Sequence, residues 1–267
     1  MYKAFLLIAV IAVFTAITVA AQPGEKASID WYTVRGKNNG QPPLEGNLRV
    51  IEKYDAYYLN RNVSDEDKVI YLTFDAGYEN GNVSKTLDVL KKHKVSATFF
   101  VLGHLIKSDT DLVMRMINEG HLVGNHTAKH RDMSLVTEKA QFAEELAGLE
   151  DIYRQYTGGK MSKFYRPPEG RFSELNLRHA TELGYTTVFW SFAYADWDNN
   201  NQPDLKTARE KILVNTHNGA IILLHPNSAT NALILDGLLD EWKARGYRIG
   251  SLEELKKNKW DESDETQ

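Results

Sequence analysis

The chain has 267 residues, of which 42% are hydrophobic and 25% charged, enough to bury a sizeable core in one large domain. A net charge of −4 without any basic stripe gives no footing for nucleic acid. The absence of cysteine excludes disulfides, thiolate metal sites and cysteine nucleophiles.

In chain order, residues 1–21 carry one early charge, Lys3, then an apolar run ending in Ala20-Ala21-Gln22-Pro23. This pattern reads as a signal peptide, with a retained membrane anchor as the alternative; either one delivers the rest outside the cytoplasm. Residues 22–65 are rich in Gly, Asn and Pro and read as an irregular N-terminal arm, with a helical stretch expected at 47–58. From residue 66 to 258 the pattern alternates. A strand at 69–74 is followed by a helix at 83–93, with Val83, Leu87 and Leu90 on one face. A strand at 97–102, a helix at 111–119 stopped by Gly120, a strand at 122–124 and a helix at 138–156 come next. A strand at 164–166 then precedes a helix capped by Ser173 and reaching Leu183, and a strand at 186–191 follows. The set closes with a helix at 205–214, a strand at 220–224, a helix at 229–245, a strand at 248–250 and a helix at 252–257 capped by Ser251. Residues 259–267 form a charged tail. Such alternation predicts an α/β protein with a parallel sheet, and about seven units fit a distorted (β/α) barrel.

Chemistry in such a barrel sits where strands end. Asp75, His126, His130, Arg166, Asp196 and His225 all follow apolar strand segments, so the fold would gather them at one mouth. His126 and His130 are four apart and would share a face if helical, which suits one metal ion; surface histidines are the plainer reading. Asp75 is either an N-cap or a general base. Arg166-Pro167-Pro168-Glu169-Gly170 is a stiff turn that could offer N–H groups to an oxyanion, or an ordinary loop. His225 is either a satisfied core histidine or, with Asp196 as partner, an oriented catalyst.

Together, Thr73-Phe74-Asp75-Ala76-Gly77, His126-Thr127-Ala128-Lys129-His130, Arg166-Pro167-Pro168-Glu169-Gly170, Asp196-Trp197 and Leu223-Leu224-His225 resemble the five ordered motifs of the polysaccharide deacetylases with a NodB homology domain, carbohydrate esterase family four. The resemblance implies a polysaccharide N-deacetylase. Asp75 would be the base, paired with Arg166, and His225 the acid, paired with Asp196. His126 and His130 would bind a divalent metal, zinc or cobalt, with Thr127 steadying their loop. Trp197 and Leu223 would wall the acetyl pocket, the N–H of Glu169 would face the oxyanion, and Tyr165 would join the substrate-binding surface. The family's usual third ligand, a second aspartate, is here Ala76, which implies a weakly held ion. The continuation Tyr78-Glu79-Asn80-Gly81, with residues 51–58 and 188–191, is similar to the N-acetylmuramic acid deacetylases of spore formers, which implies muramic δ-lactam formation in spore cortex. Peptidoglycan glycan strands would be the partner of a monomeric enzyme. The alternatives are the same chemistry on N-acetylglucosamine polymers, or a cell-wall binding protein of little activity with a degraded metal site.

Overall fold

The computed structural model describes residues 23–257; the expected signal or anchor at 1–21 and the charged tail at 259–267 lie outside the described residues. In chain order the elements are β1 (Ile29–Asp30), β2 (Ala56–Tyr57), β3 (Val69–Ala76), α1 (Val83–His93), β4 (Thr98–Val101), α2 (Gly103–Ser108), α3 (Thr110–Asn118), β5 (Leu122–Asn125), α4 (Lys139–Thr157), β6 (Phe164–Tyr165), β7 (Arg171–Phe172), α5 (Glu174–Glu182), β8 (Thr186–Val188), α6 (Leu205–Asn215), β9 (Ile221–Leu224), α7 (Ala229–Ala244), β10 (Arg248–Ile249) and α8 (Leu252–Lys257). Short polar side chains start the helices. Ser173 and Asn176 form a reciprocal capping box on α5, Asp204 accepts from Thr207 N–H on α6, and Ser228 accepts from Asn231 N–H on α7. Gly158, at φ 72°, ends α4 in the left-handed conformation that a glycine adopts without strain.

The sheet runs β10-β3-β4-β5-β6-β8-β2, with β9 also paired to β3, and every one of these pairings is parallel. Beyond β8 the chain keeps its direction long enough for Phe192 to bridge Ile222 of β9, with Leu223 N–H donating to the Phe192 carbonyl at 2.9 Å. The sheet thereby curls toward closure as a distorted (β/α) barrel of seven strands, with β10 at the foot of β3.

Side chains alternate across each strand, and the alternation sorts the barrel into two apolar layers. Ile70, Leu72, Phe74 and Ala76 of β3 join Leu87 and Leu90 of α1, Met116 of α3 and Leu235, Leu238 and Trp242 of α7 in the outer core. Their neighbours Val69 and Tyr71 join Phe100, Phe164, Val188 and Ile221 in the barrel interior, and Leu252 and Leu255 of α8 pack with that interior group. The inward register then continues upward through Thr73 and Asp75, His126, Arg166, and Leu223 and His225. One parity therefore runs from an apolar floor to a polar mouth.

The segment read as an arm packs its own cluster, Ile29, Trp31, Leu48, Ile51, Tyr58 and Leu59, against Phe172, Leu177 and Phe189. Trp31 stacks on Phe189 with ring centroids 4.3 Å apart. The helix expected at 47–58 is a 3-10 helix, Gly46–Lys53, followed by β2. The parallel ladder from β2 to β8, Ala56 with Thr187 and Tyr57 with Val188, holds that backbone extended against any helical tendency. Helix α2 is an element that the sequence pattern did not announce.

Gly124 of β5 lies against Phe100: an added Cβ would stand 2.8 Å from that ring and 3.2 Å from the Phe164 carbonyl. The ring lies beneath the Arg166 guanidinium, whose carbon is 4.3 Å from the ring centroid, so it has little room to retreat. Gly124→Ala is expected to cost about 1–3 kcal/mol through overpacking, read as a lowered urea midpoint at unchanged m-value. A wild-type midpoint would contradict this packing.

Candidate active site

Arg166 follows β6 and is fully buried, which is tolerable for a guanidinium only if its donors are matched. They are. Nε donates to the Val188 carbonyl at 3.0 Å, and Nη2 to Thr73 Oγ1 at 2.9 Å and the Phe189 carbonyl at 3.3 Å. Nη1 donates to Asp75 Oδ1 at 2.8 Å. Burial alone would push the Asp75 carboxyl upward, but the positive charge of Arg166, with His126 and His225 nearby, outweighs it and leaves Asp75 below the ordinary carboxylate value. Asp75 is therefore an anion at neutral pH.

His126 packs beside this pair. Its Nδ1 is 2.8 Å from the Arg166 carbonyl, which can only accept, so Nδ1 carries the proton and Nε2 keeps its lone pair. That lone pair lies 3.6 Å from Asp75 Oδ2, and the His130 ring centroid is 5.0 Å from that of His126. Burial lowers His126 to about 4, so the imidazole is neutral and free to ligate at physiological pH.

On the other side of the mouth, His225 Nδ1 meets Asp196 Oδ1 at 2.7 Å, and the His225 N–H donates to Asp196 Oδ2 at 2.9 Å. Burial would depress this histidine, but the hydrogen bond and charge of Asp196 win and hold it above its ordinary value. Trp197 is exposed, with its ring centroid 6.3 Å from that of His225. The site thus has an ionised carboxylate, a histidine biased toward its protonated form and a neutral imidazole with a free lone pair.

A family model described as polysaccharide deacetylase matches residues 62–188. The chain is 44% identical, over 90% of its length and 89% of the relative's, to the peptidoglycan-N-acetylmuramic acid deacetylase PdaA of Bacillus subtilis. The chain belongs to the polysaccharide deacetylase family. The solved structure of that Bacillus subtilis PdaA, a family 4 carbohydrate esterase, superposes with a TM-score of 0.82 at 43% identity, covering 88% of this chain and 99% of the other. A family 4 carbohydrate esterase from Bacillus anthracis superposes with a TM-score of 0.71 at 37% identity, covering 89% and 100%. A peptidoglycan-N-acetylglucosamine deacetylase of Bacillus cereus is 34% identical over 76% of this chain and 72% of its own.

Against this deacetylase frame, Asp75, His126, His130, Arg166, Asp196 and His225 all stand on the loops or strand ends of one mouth. Three expectations need correction. The two metal-candidate histidines are not on a helix: residues 126–130 form a loop in which Thr127 and His130 have φ of 72° and 54°. Asn125 Oδ1 accepts from Thr127 N–H at 2.9 Å and Thr127 Oγ1 from His130 N–H at 3.0 Å, and these side chains hold the left-handed turns. Tyr165 does not face the substrate mouth. It takes the outward parity of β6, between the inward Phe164 and Arg166, and is buried with Phe142, Leu146 and Tyr185. The strand expected at 186–191 stops at Val188, so Asp196 is delivered by a longer loop.

The other substrate-side residues fall as follows. Leu223 is buried on the inward parity of β9. Glu169, at φ 56°, breaks the 3-10 turn Pro168–Gly170, and its carboxylate points away to Arg171 at 3.0 Å. Pattern reading missed Thr73, which shares Arg166 with Asp75, and Asn231, which donates to Asp196.

Polysaccharide deacetylases of this family are metal-dependent. The residues here offer part of a seat: two imidazoles and, facing the lone pair of His126, the Asp75 carboxylate. Two acceptors at 3.6 Å repel unless a cation or proton lies between them, so the arrangement fits a cation. Ala76 packs in the outer core, and no complete group of three acidic, histidine or cysteine ligands occurs among the described residues. The seat is therefore an open one.

Below pH 6.5 the unfolded chain takes up a proton at His126 that the folded, buried imidazole refuses until near pH 4. The stability that neutral His126 contributes is then lost as pH drops from about 6.5 toward 4. His121, His179 and His217, also lowered by burial, act with the same sign. In chelator-treated protein, His126→Gln should lose about 2–3 kcal/mol less than wild type between pH 7 and pH 4.5, measured by urea unfolding. Equal losses would mean that His126 is not buried as a neutral base.

Proposed function

We propose that the chain hydrolyses the N-acetyl group of N-acetylmuramic acid in peptidoglycan glycan strands. The observation that carries this reading is the facing of an ionised Asp75 and a protonation-prone His225 across one mouth, which supplies a base and an acid at once. Asp75 takes a proton from the water that adds to the acetyl carbonyl. His225, steadied by Asp196, gives a proton to the amide nitrogen as the C–N bond breaks, leaving acetate and a free amine. Arg166 keeps Asp75 charged and correctly turned. A divalent ion, zinc or cobalt, held weakly by His126 and His130, would supply Lewis-acid polarisation of the acetyl oxygen. The Glu169 N–H would meet the developing oxyanion, and Trp197 and Leu223 would enclose the acetyl methyl.

The muramic assignment is supported by the 44% identity to a deacetylase named for that sugar. The freed muramic amine, condensing with the lactyl carboxylate of its own sugar, would give the δ-lactam of spore cortex. The apolar run within residues 1–21 supports export, by a cleaved signal or a retained anchor, to where peptidoglycan is found.

Acetate release should be fastest from peptidoglycan stripped of its stem peptides, compared with intact peptidoglycan and chitin oligomers; turnover confined to glucosamine polymers would sink the muramic reading. Asp75→Asn and His225→Gln should each lower kcat by about 10²–10⁴-fold. His126→Ala should reduce metal content, and Asp75→Asn should reduce it less despite its loss of turnover, as read by elemental analysis. Full activity after thorough chelation would remove the metal from the mechanism. The pH profile of kcat/KM should fall on the alkaline side above 6.5, where raised His225 loses its proton. An alkaline limb below pH 6.5 would contradict the pairing with Asp196.

A further inference from the structure

Asn231 is the third residue of α7 and is buried. Its amide nitrogen donates to Asp196 Oδ2 at 2.5 Å and to the His225 carbonyl at 3.0 Å. Its amide oxygen accepts from the Tyr194 hydroxyl. Turned over, the amide would set its own oxygen against a carboxylate and a carbonyl, so these partners fix its orientation. Asp196 Oδ2 thus takes two N–H donors, from Asn231 and the His225 backbone, and Oδ1 is left to the imidazole. Gln202 secures the same loop from below. Its amide nitrogen donates to the Asp196 carbonyl at 3.1 Å, while its amide oxygen accepts from the Ser228 hydroxyl at 2.6 Å. The first turn of α7 is therefore tied both to the carboxylate and to the backbone that carries it.

We propose that Asn231, buttressed by Tyr194, is a positioning residue: it fixes the rotation of Asp196 and, through it, aims the His225 proton at the departing nitrogen. The proposal rests on the reading of His225 as the acid. Without Asn231 the carboxylate keeps its two His225 contacts, one on each oxygen, but loses the donor that pins Oδ2 to α7 and is held less firmly against rotation. A misplaced acid costs turnover rather than binding, by up to about 10²-fold for a shift near 1 Å.

The test uses the full chain on peptide-stripped peptidoglycan. Asn231→Ala should lower kcat about 10–100-fold with KM within about twofold. Tyr194→Phe should lower it less, and the double variant should be no slower than Asn231→Ala alone, since the two residues act as one unit. In histidine-labelled protein, the downfield Nδ1–H resonance of His225 should broaden or vanish in Asn231→Ala. If Asn231→Ala does not fold, Asn231→Ser and Tyr194→Phe carry the same readouts. Wild-type kcat in a folded Asn231 variant, or additive losses with an unchanged resonance, would overturn the proposal. An active His225→Gln variant would instead overturn the acid reading beneath it, so the two failures are distinguishable.

Discussion

The buried guanidinium of Arg166 is the interaction around which this barrel mouth is arranged. It joins the ends of three strands: β3 through Thr73 and Asp75, β8 through the carbonyls of Val188 and Phe189, and its own β6. Its face lies over Phe100 of β4, 4.3 Å from the ring centroid. A charge so placed destabilises the fold unless every donor is met, and removing a partner of a buried pair costs far more than the pair contributes. The same contacts that make the arginine tolerable fix the charge state and the aim of Asp75. The Arg166 backbone carbonyl also fixes the tautomer of His126. Stability and chemistry are coupled here through one side chain.

That coupling reaches the N-terminal segment. Phe189 offers its carbonyl to Arg166 while its ring is stacked by Trp31, and the Trp31 indole donates to the Trp190 carbonyl at 3.0 Å. Gly170, at φ 70°, lets this packing close: a Cβ there would lie 2.8 Å from the Trp190 ring and 2.9 Å from Trp31. The segment from Ile29 to Leu59 therefore acts on the site from behind, by holding the strand end that receives the guanidinium. Its sequence reads as irregular because its elements are two-residue strands and 3-10 turns, stabilised by long-range packing and not by local periodicity.

The fold and four polar residues of the mouth, Asp75, His126, Arg166 and His225, were legible because one physical rule, alternation along a strand, generates both. An apolar strand that stops at Asp75, at Asn125 before His126, or at Leu224 before His225 announces both the barrel and its open end. The same rule, applied one residue further, places Tyr165 outside, since its neighbours Phe164 and Arg166 point in. What pattern could not give were features built from non-local partners. The left-handed turns at Thr127 and His130 depend on side-chain acceptors, and the strand-to-loop change after Val188 depends on how the chain meets β9. Asn231 was invisible because a helix N3 position advertises capping, and its carboxylate contact exists only once α7 has docked.

The Ala76 position shows how the same alternation limits the metal seat. In this chain it lies on the outward parity, packed at 1% exposure among Leu87, Leu105 and other residues of the outer core. An alanine there stabilises the barrel wall but contributes no charge to the mouth. The anionic charge available to an ion then comes from Asp75, which Arg166 already partly neutralises. Among the described residues His126 and His130 remain as neighbouring imidazoles, and no group of three metal-ligating side chains is assembled around them. The groups that carry charge in the mouth are the Asp75–Arg166 and His225–Asp196 pairs, each locked by a further buried hydrogen bond, from Arg166 to Thr73 Oγ1 and from Asn231 to Asp196.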